Sequence, residues 1–161
     1  MQLVFDIRGN LHPAGMTELN ETEVFKHFVD PFAPSSSRHV LFTSYQRLLD
    51  DIEHTLQKQL RHWLNGSFIS NRTNPKDIDL VFLADYALIE SNEKIFNLKF
   101  SNTAIADVYG LDAYFIKIYP EGHSNYFWTQ SDLAYWRNWF GRSKMDRRRK
   151  RYNKGFVAVS R

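Results

Sequence analysis

Two aspartates one residue apart, Asp77 and Asp79, follow a Gly66-Ser67 pair after an interval of nine residues and open an apolar run over residues 78–83. The run reads as a buried β-strand bounded by turn residues. Residues two apart on a strand point to the same side, so the two carboxylates can converge on one point. Without a cation they repel, and one takes up a proton. Around Mg²⁺ they supply the hard oxygen ligands that hold a metal against phosphate oxygens. The Gly-Ser turn adds backbone N–H groups that an anion can approach closely, because glycine has no Cβ. An Asp-x-Asp pair by itself is more often a solvated turn or a helix cap. Here the apolar run behind it puts Asp79 at the edge of the core, where an unpaired carboxylate is costly.

Gly66-Ser67, the nine-residue interval and Asp77-Ile78-Asp79 resemble the signature of the polymerase-β nucleotidyltransferase superfamily, and within it the minimal nucleotidyltransferases of prokaryotic toxin–antitoxin and phage-defence operons. The likeness extends to Gly9-Asn10-Leu11 with Pro13 and Gly15, to Leu111-Asp112-Ala113-Tyr114-Phe115 and to Lys154-Gly155, so it spans almost the whole chain. The resemblance implies an α/β (α+β) fold of the polymerase-β type, a mixed β-sheet flanked by helices. It also implies a third carboxylate on a later strand, completing the metal site beside the attacking hydroxyl. Residues 112–119 have strand composition and end at Pro120 and Gly122, which puts Asp112 at the mouth of such a strand. Asp107 competes, but it falls in a helix or turn with no strand beneath it.

On this resemblance Asp77, Asp79 and Asp112 are the catalytic carboxylates and ligands of two Mg²⁺ ions, with Mn²⁺ as a substitute. Gly66, Ser67 and Lys154 bind the nucleotide. A nucleoside monophosphate then passes from an NTP or dNTP to a hydroxyl, and pyrophosphate leaves. The acceptor is a partner protein from the same operon, a growing oligonucleotide or the protein itself, with Tyr152 as a conceivable self-modification site. A non-catalytic, antitoxin-like subunit that binds nucleotide or a partner is the alternative from another class. A nucleic-acid-binding module that uses the basic tail alone is a third reading.

Charge is unevenly placed. Ten of the 21 Lys and Arg lie in residues 137–161, accompanied by the single acid Asp146. A net of +3 thus hides an acidic body with a basic C-terminal segment, densest over residues 142–154, and such asymmetry suggests a polyanion partner. The segment reads as a solvated face, a grip on triphosphate or pyrophosphate, or a phosphate-binding patch for nucleic acid. Aromatic residues 126–128, 135, 136, 139 and 140 form a dense cluster, mostly core, from which one or two rings could stack on a base.

The remainder reads as scaffold. At 161 residues, with 43 % apolar and 16 % aromatic residues, the chain suits one domain over residues 1–161, which the resemblance implies is a nucleotidyltransferase domain. No run is long enough to span a membrane, no signal-peptide pattern opens the chain, and a cytoplasmic setting is expected. The chain has no cysteine, which excludes a disulfide scaffold and thiolate metal sites. The six histidines lack zinc-ligand spacing. From Phe42, apolar residues recur at helical spacing through Leu60 and Trp63, predicting one helix that Asn65-Gly66 stops; His62 would then sit at its C-terminal end. Shorter helices are expected over residues 21–29, 86–108 (in two pieces, broken near Ser101-Asn102) and 132–140. A Pro/Ser cluster over residues 31–37 separates the first two.

Overall fold

A computed structural model describes residues 3–160; residues 1, 2 and 161 lie outside it. A short antiparallel pair, β1 (Val4–Phe5) and β2 (Leu11–His12), leads into β3 (Gly15–Leu19). Helix α1 (Glu21–Phe28) starts at Asn20, whose side chain accepts from the Glu23 N–H while the Glu23 carboxylate accepts from the Asn20 N–H, a reciprocal cap. Then come α2 (Ser37–Leu56), β4 (Arg61–Asn65), a 3-10 turn (Gly66–Ile69), β5 (Asp79–Asp85), α3 (Tyr86–Ser91), α4 (Glu93–Lys99), α5 (Asn102–Tyr109), β6 (Asp112–Ile118), α6 (Tyr126–Phe140) and β7 (Gly155–Val159).

The five longer strands form one mixed sheet in the order β3-β7-β4-β5-β6. The outer pairs, β3 with β7 and β5 with β6, run parallel, and β4 is antiparallel to both of its neighbours. Strand alternation divides the core in two. Leu64, Leu80, Phe82 and Val157 face α1, α2, α4 and α5, where Phe28, Tyr45, Leu48, Phe96 and Ile105 close the larger cluster. Trp63, Val81, Ile116, Phe156 and Ala158 face the other way, under Phe140 and Trp136 of α6. The architecture is therefore mixed α/β with helices on both faces of the sheet.

The long apolar period was not one helix. Helix α2 ends at Leu56, where Gln57 takes a left-handed conformation. Leu60 and Trp63 belong to the ends and middle of the β4 region. Two apolar sets, one per element, happened to share a 3.6-residue spacing across the break. His62 is accordingly no helix-end histidine. It is buried in β4, within 2.7 Å of the Tyr45 hydroxyl and 3.0 Å of the Leu60 carbonyl oxygen. Residues 86–108 break where expected, at Ser101, whose hydroxyl caps α5, and break once more at Asn92. The helix expected over residues 132–140 begins earlier, at Tyr126.

The Pro/Ser cluster proved to be a clamp and not a separator. Ser36 caps α2 and donates from its hydroxyl to the Thr73 carbonyl, and Ser37 donates to that of Pro75. Arg38, fully buried, sends its guanidinium to the carbonyls of Phe28, Ser67, Phe68, Ser70 and Arg72 at 2.6–3.3 Å. Its face lies 3.9 Å from the Phe32 ring centre. Burial pushes its pKa down to about 10. Removing the guanidinium strands several buried carbonyls, each costing roughly 1–3 kcal/mol. Arg38→Ala is expected to destabilise the fold by about 3–5 kcal/mol in urea titration. Arg38→Lys should lose nearly as much, because three donors on one nitrogen cannot serve five divergent carbonyls; a lysine variant as stable as the wild type would reject this role.

Candidate functional site

The sheet brings Asp79 between two polar neighbours on the same face. Opposite it in register stand Asn65 at the end of β4 and Asp112 at the start of β6, and directly opposed residues share a side. Asp79 has the parity of Val81, so this face is the one α6 covers. Gly66 follows Asn65 with φ +81°, and a Cβ there would lie 1.7 Å from Asp79 Oδ2. Glycine is thus required twice, for its backbone conformation and because the Asp79 carboxylate lies against its Cα. Asp77 stands in the connection just before β5. Strand alternation consequently does not set its position, yet its charge is felt by Asp79 more than that of Asp112, so the two carboxylates lie near each other as expected, for another reason.

Asp112 is held by Asn102 at the start of α5, whose side-chain amide donates to Asp112 Oδ1 at 2.6 Å and to the Ala113 carbonyl at 3.2 Å. Asp107 lies exposed on α5, away from the strand ends. Lys154, the last residue before β7, is buried and donates from Nζ to Asn65 Oδ1. That contact leaves the 3-10 turn without a side-chain cap from Asn65. Ser67 is half-buried in the same turn, its carbonyl taken by Arg38 and by the Ser70 hydroxyl.

Electrostatics ties these residues together. Burial, then the charges of Asp77 and Asp112, push the Asp79 carboxyl up to about 6, while Lys144 and Lys154 pull it down. Burial pushes Lys154 down to about 8 against the attraction of Asp79. Tyr114, on β6 two residues past Asp112, is raised by burial and by Asp112 and Asp79. Among the described residues, no group of three or more His, Asp or Glu side chains is arranged to hold a metal ion. The donor set nevertheless fits a divalent cation. Two opposed carboxylates and a third nearby offer hard oxygens only, and one of them is disfavoured as an anion until a cation arrives.

Other resembling motifs meet here as well. Gly9 (φ +79°) packs against the Asn71 side chain, and Asn10 bridges to Ser70 just beyond the turn. Gly15 N–H donates to the Lys154 carbonyl, and Gly155 sits against the Pro13 carbonyl, where a Cβ would come within 2.6 Å. Tyr152 is differently employed: its hydroxyl donates to Asp146 at 3.0 Å and its ring lies under Arg8. Four participants were not singled out beforehand as site residues. Asn65 was read as a helix stop, Asn102 as a helix break and Tyr114 as strand filler, and Lys144 was submerged in the basic run. Asn65, abutting Gly66, and Tyr114, inside the motif Leu111-Asp112-Ala113-Tyr114-Phe115, were the ones that carried a signal.

Comparison with known proteins adds one finding. The chain belongs to the family described as "Family of unknown function (DUF6932)", whose pattern matches residues 3–160. No curated protein and no solved structure matches it.

Asp79 generates a pH prediction. A carboxyl at about 6 in the folded chain, against 3.8 as its ordinary value, binds more protons folded than unfolded between those limits. Stability therefore falls as pH rises through that window, and the cost is fully present above it. In EDTA, Asp79→Asn is expected to flatten the slope of melting temperature over this range and to melt higher than wild type at neutral pH. An unchanged slope in the variant would assign the titration to another group.

Proposed function

We propose that the protein is a metal-dependent nucleotidyltransferase of the polymerase-β type. It would move a nucleoside monophosphate from an NTP or dNTP to a hydroxyl and release pyrophosphate. The observation that carries this reading is the Asp79 carboxylate lodged against Gly66 and opposite Asp112 at the open ends of three strands. A turn for phosphate and carboxylates for metal are thereby joined in a single contact, which a chance Asp-x-Asp pair would not need.

Asp79 and Asp112, with Asp77 beside them, would hold Mg²⁺ or Mn²⁺. When bound, the metal lowers the pKa of an attacking hydroxyl and neutralises phosphate charge. The residues themselves do the rest. The Gly66-Ser67 turn faces the β- and γ-phosphates with its uncapped N–H groups. Lys144 and Lys154, both felt by Asp79, add positive charge where the leaving group gathers negative charge. Asn102 and Tyr114 both engage Asp112, fixing the carboxylate that would take the acceptor's proton. The acceptor oxygen forms its bond to the α-phosphorus as the α–β phosphoanhydride bond breaks and pyrophosphate departs in line.

If the resemblance holds, this activity would belong to a cytoplasmic toxin–antitoxin or phage-defence setting, with a partner protein or an oligonucleotide as acceptor. Self-transfer at Tyr152 fits poorly, since that hydroxyl is engaged by Asp146. No helix among the described residues is long and apolar enough to cross a membrane. One observation favours the non-catalytic, antitoxin-like alternative: the acids do not by themselves form a three-ligand cluster.

Pyrophosphate release with each NTP and dNTP, in Mg²⁺ and in Mn²⁺, separates the two. Release is expected to fall by about a hundredfold or more in Asp79→Asn and in Asp112→Asn. Full release by either variant would reject the assignment. Independently of turnover, Mg²⁺ plus nucleotide should raise the melting temperature of the wild type and leave that of Asp79→Asn unmoved. Gly66→Ala forces a Cβ into the space of Asp79 Oδ2. It should lose release as fully as Asp79→Asn does, with a stability cost close to that of Gly110→Ala, whose φ of +68° imposes similar strain with nothing nearby to displace.

A further inference from the structure

Apart from Lys144 and Lys154, the basic segment and the exposed aromatics of α6 are not used by the transfer chemistry. Residues 142–153 form an ordered loop closed on itself. Ser143 N–H donates to the Tyr152 carbonyl, Lys154 N–H donates to that of Gly141, and Arg142 bridges to Asn153. Its one acid, Asp146, accepts from the N–H groups of Arg148 and Lys150 and from the Tyr152 hydroxyl. The sole negative charge of the segment is thus consumed in shaping the loop. Residues 147–151 are exposed, and all five are Arg or Lys.

Beside this loop, α6 exposes Trp128, Tyr135 and Trp139 at 51–58 % of their surface. Their spacing, seven and four residues, places them along one stripe of the helix. The Tyr135 and Trp139 rings are nearly parallel, 6° apart with centres separated by 6.4 Å, and Arg151 lies 5.6 Å over Trp139. The stripe also reaches the candidate site: Tyr135 is felt by Tyr114, which is in turn beside Asp112.

We propose that this face binds single-stranded nucleic acid, with unpaired bases stacked on Tyr135 and Trp139 and the phosphate backbone along residues 147–151. Two features select this occupant. Charge complementarity requires a polyanion, because the loop's cations are exposed and its only acid is satisfied internally. The uncovered surface of α6 also carries the flat, nearly parallel rings of Tyr135 and Trp139, which suit stacked bases. Paired bases cannot reach such rings, so single strands are preferred over duplex. Binding here is independent of transfer, and its test requires no turnover.

The test is fluorescence anisotropy of the full chain with labelled oligouridine and oligothymidine of about 12 nucleotides, and with a duplex of equal length. Single strands should bind at low salt, with affinity falling steeply as NaCl rises from about 50 to 200 mM. The Tyr135→Ala/Trp139→Ala variant should bind about tenfold or more weakly with its salt dependence preserved, while Tyr135→Phe/Trp139→Phe retains binding. Replacing Arg147, Arg148 and Lys150 by Ala should make the salt slope shallower, by about 0.7 per lost phosphate contact. Far-UV circular dichroism verifies that each variant is folded. The proposal is overturned by no binding to any strand at low salt, by duplex binding as tight as single strand, or by an undiminished ring-to-Ala variant. It is equally overturned if the rings serve self-association in sedimentation velocity, or binding to anionic phosphatidylserine vesicles, with no oligonucleotide bound.

Discussion

Arg38 is a buried cation whose partners are all neutral carbonyl oxygens. Its guanidinium collects the carbonyls of Ser67, Phe68, Ser70 and Arg72, with that of Phe28 from the end of α1. A carboxylate would satisfy the charge more directly, but it would hold one point and not a curved segment. Four of the five carbonyls drawn to this planar group lie on the path of the chain from the turn toward β5 and define it. In a helical turn N–H and C=O groups point in opposite directions, so carbonyls drawn in toward Arg38 leave the N–H end directed away from it. The same constraint holds Gly66 where Asp79 rests against it. Ser36 and Ser37 continue the clamp along the loop, which is why the start of α2, remote in sequence from the acids, governs their surroundings.

The polar cluster above that clamp is costly to the fold. Asp79 is pushed up to about 6 and Lys154 down to about 8, each chiefly by burial. Opposite charges so placed would relieve each other most by direct pairing, yet Lys154 spends its bond on Asn65. Asp79 is left facing two further carboxylates. A sequence selected for stability alone would place Asn or Ser at one of these positions. Retaining three carboxylates against their own repulsion is understandable where a cation or a phosphate-bound cation completes the arrangement.

Legibility in the sequence followed the range of the interaction. The strand after Asp79, the strand after Asp112 and the break at Ser101 were all readable, because alternation, turn residues and caps act within a few positions. The packing of Gly9 on Asn71 and of Gly155 on Pro13 was not readable from any local pattern. The extent of α2 was misjudged because Leu60 and Trp63 continued a helical period by coincidence, and nothing in composition marks Gln57 as left-handed. Arg38 was unreadable for a deeper reason. Nothing near it in sequence distinguishes a buried arginine from an exposed one, and its partners lie about 30 residues away. Asn102 and Tyr114 joined the site only through the register of β5 against β6.

The two faces of the sheet are unequally covered, and this divides their roles. On one, α1, α2, α4 and α5 close a core in which Leu80, Phe82 and Ala84 of β5 are fully buried. On the other, α6 covers the middle of the sheet and leaves the strand ends with Asp79 and Asp112 only half-buried. The chain then runs without interruption from the rings of α6 through the basic loop to Lys154 and into β7. Lys154 is anchored from both sides, by its side chain on Asn65 and by its N–H on the Gly141 carbonyl at the end of α6. A polyanion that engaged the loop would therefore pull on the same short segment that sets Lys154 beside Asp79. Lys144 within the loop and Lys154 at its end both pull the Asp79 carboxyl down toward ionisation, so the inner site draws its positive charge from two points of the same basic segment.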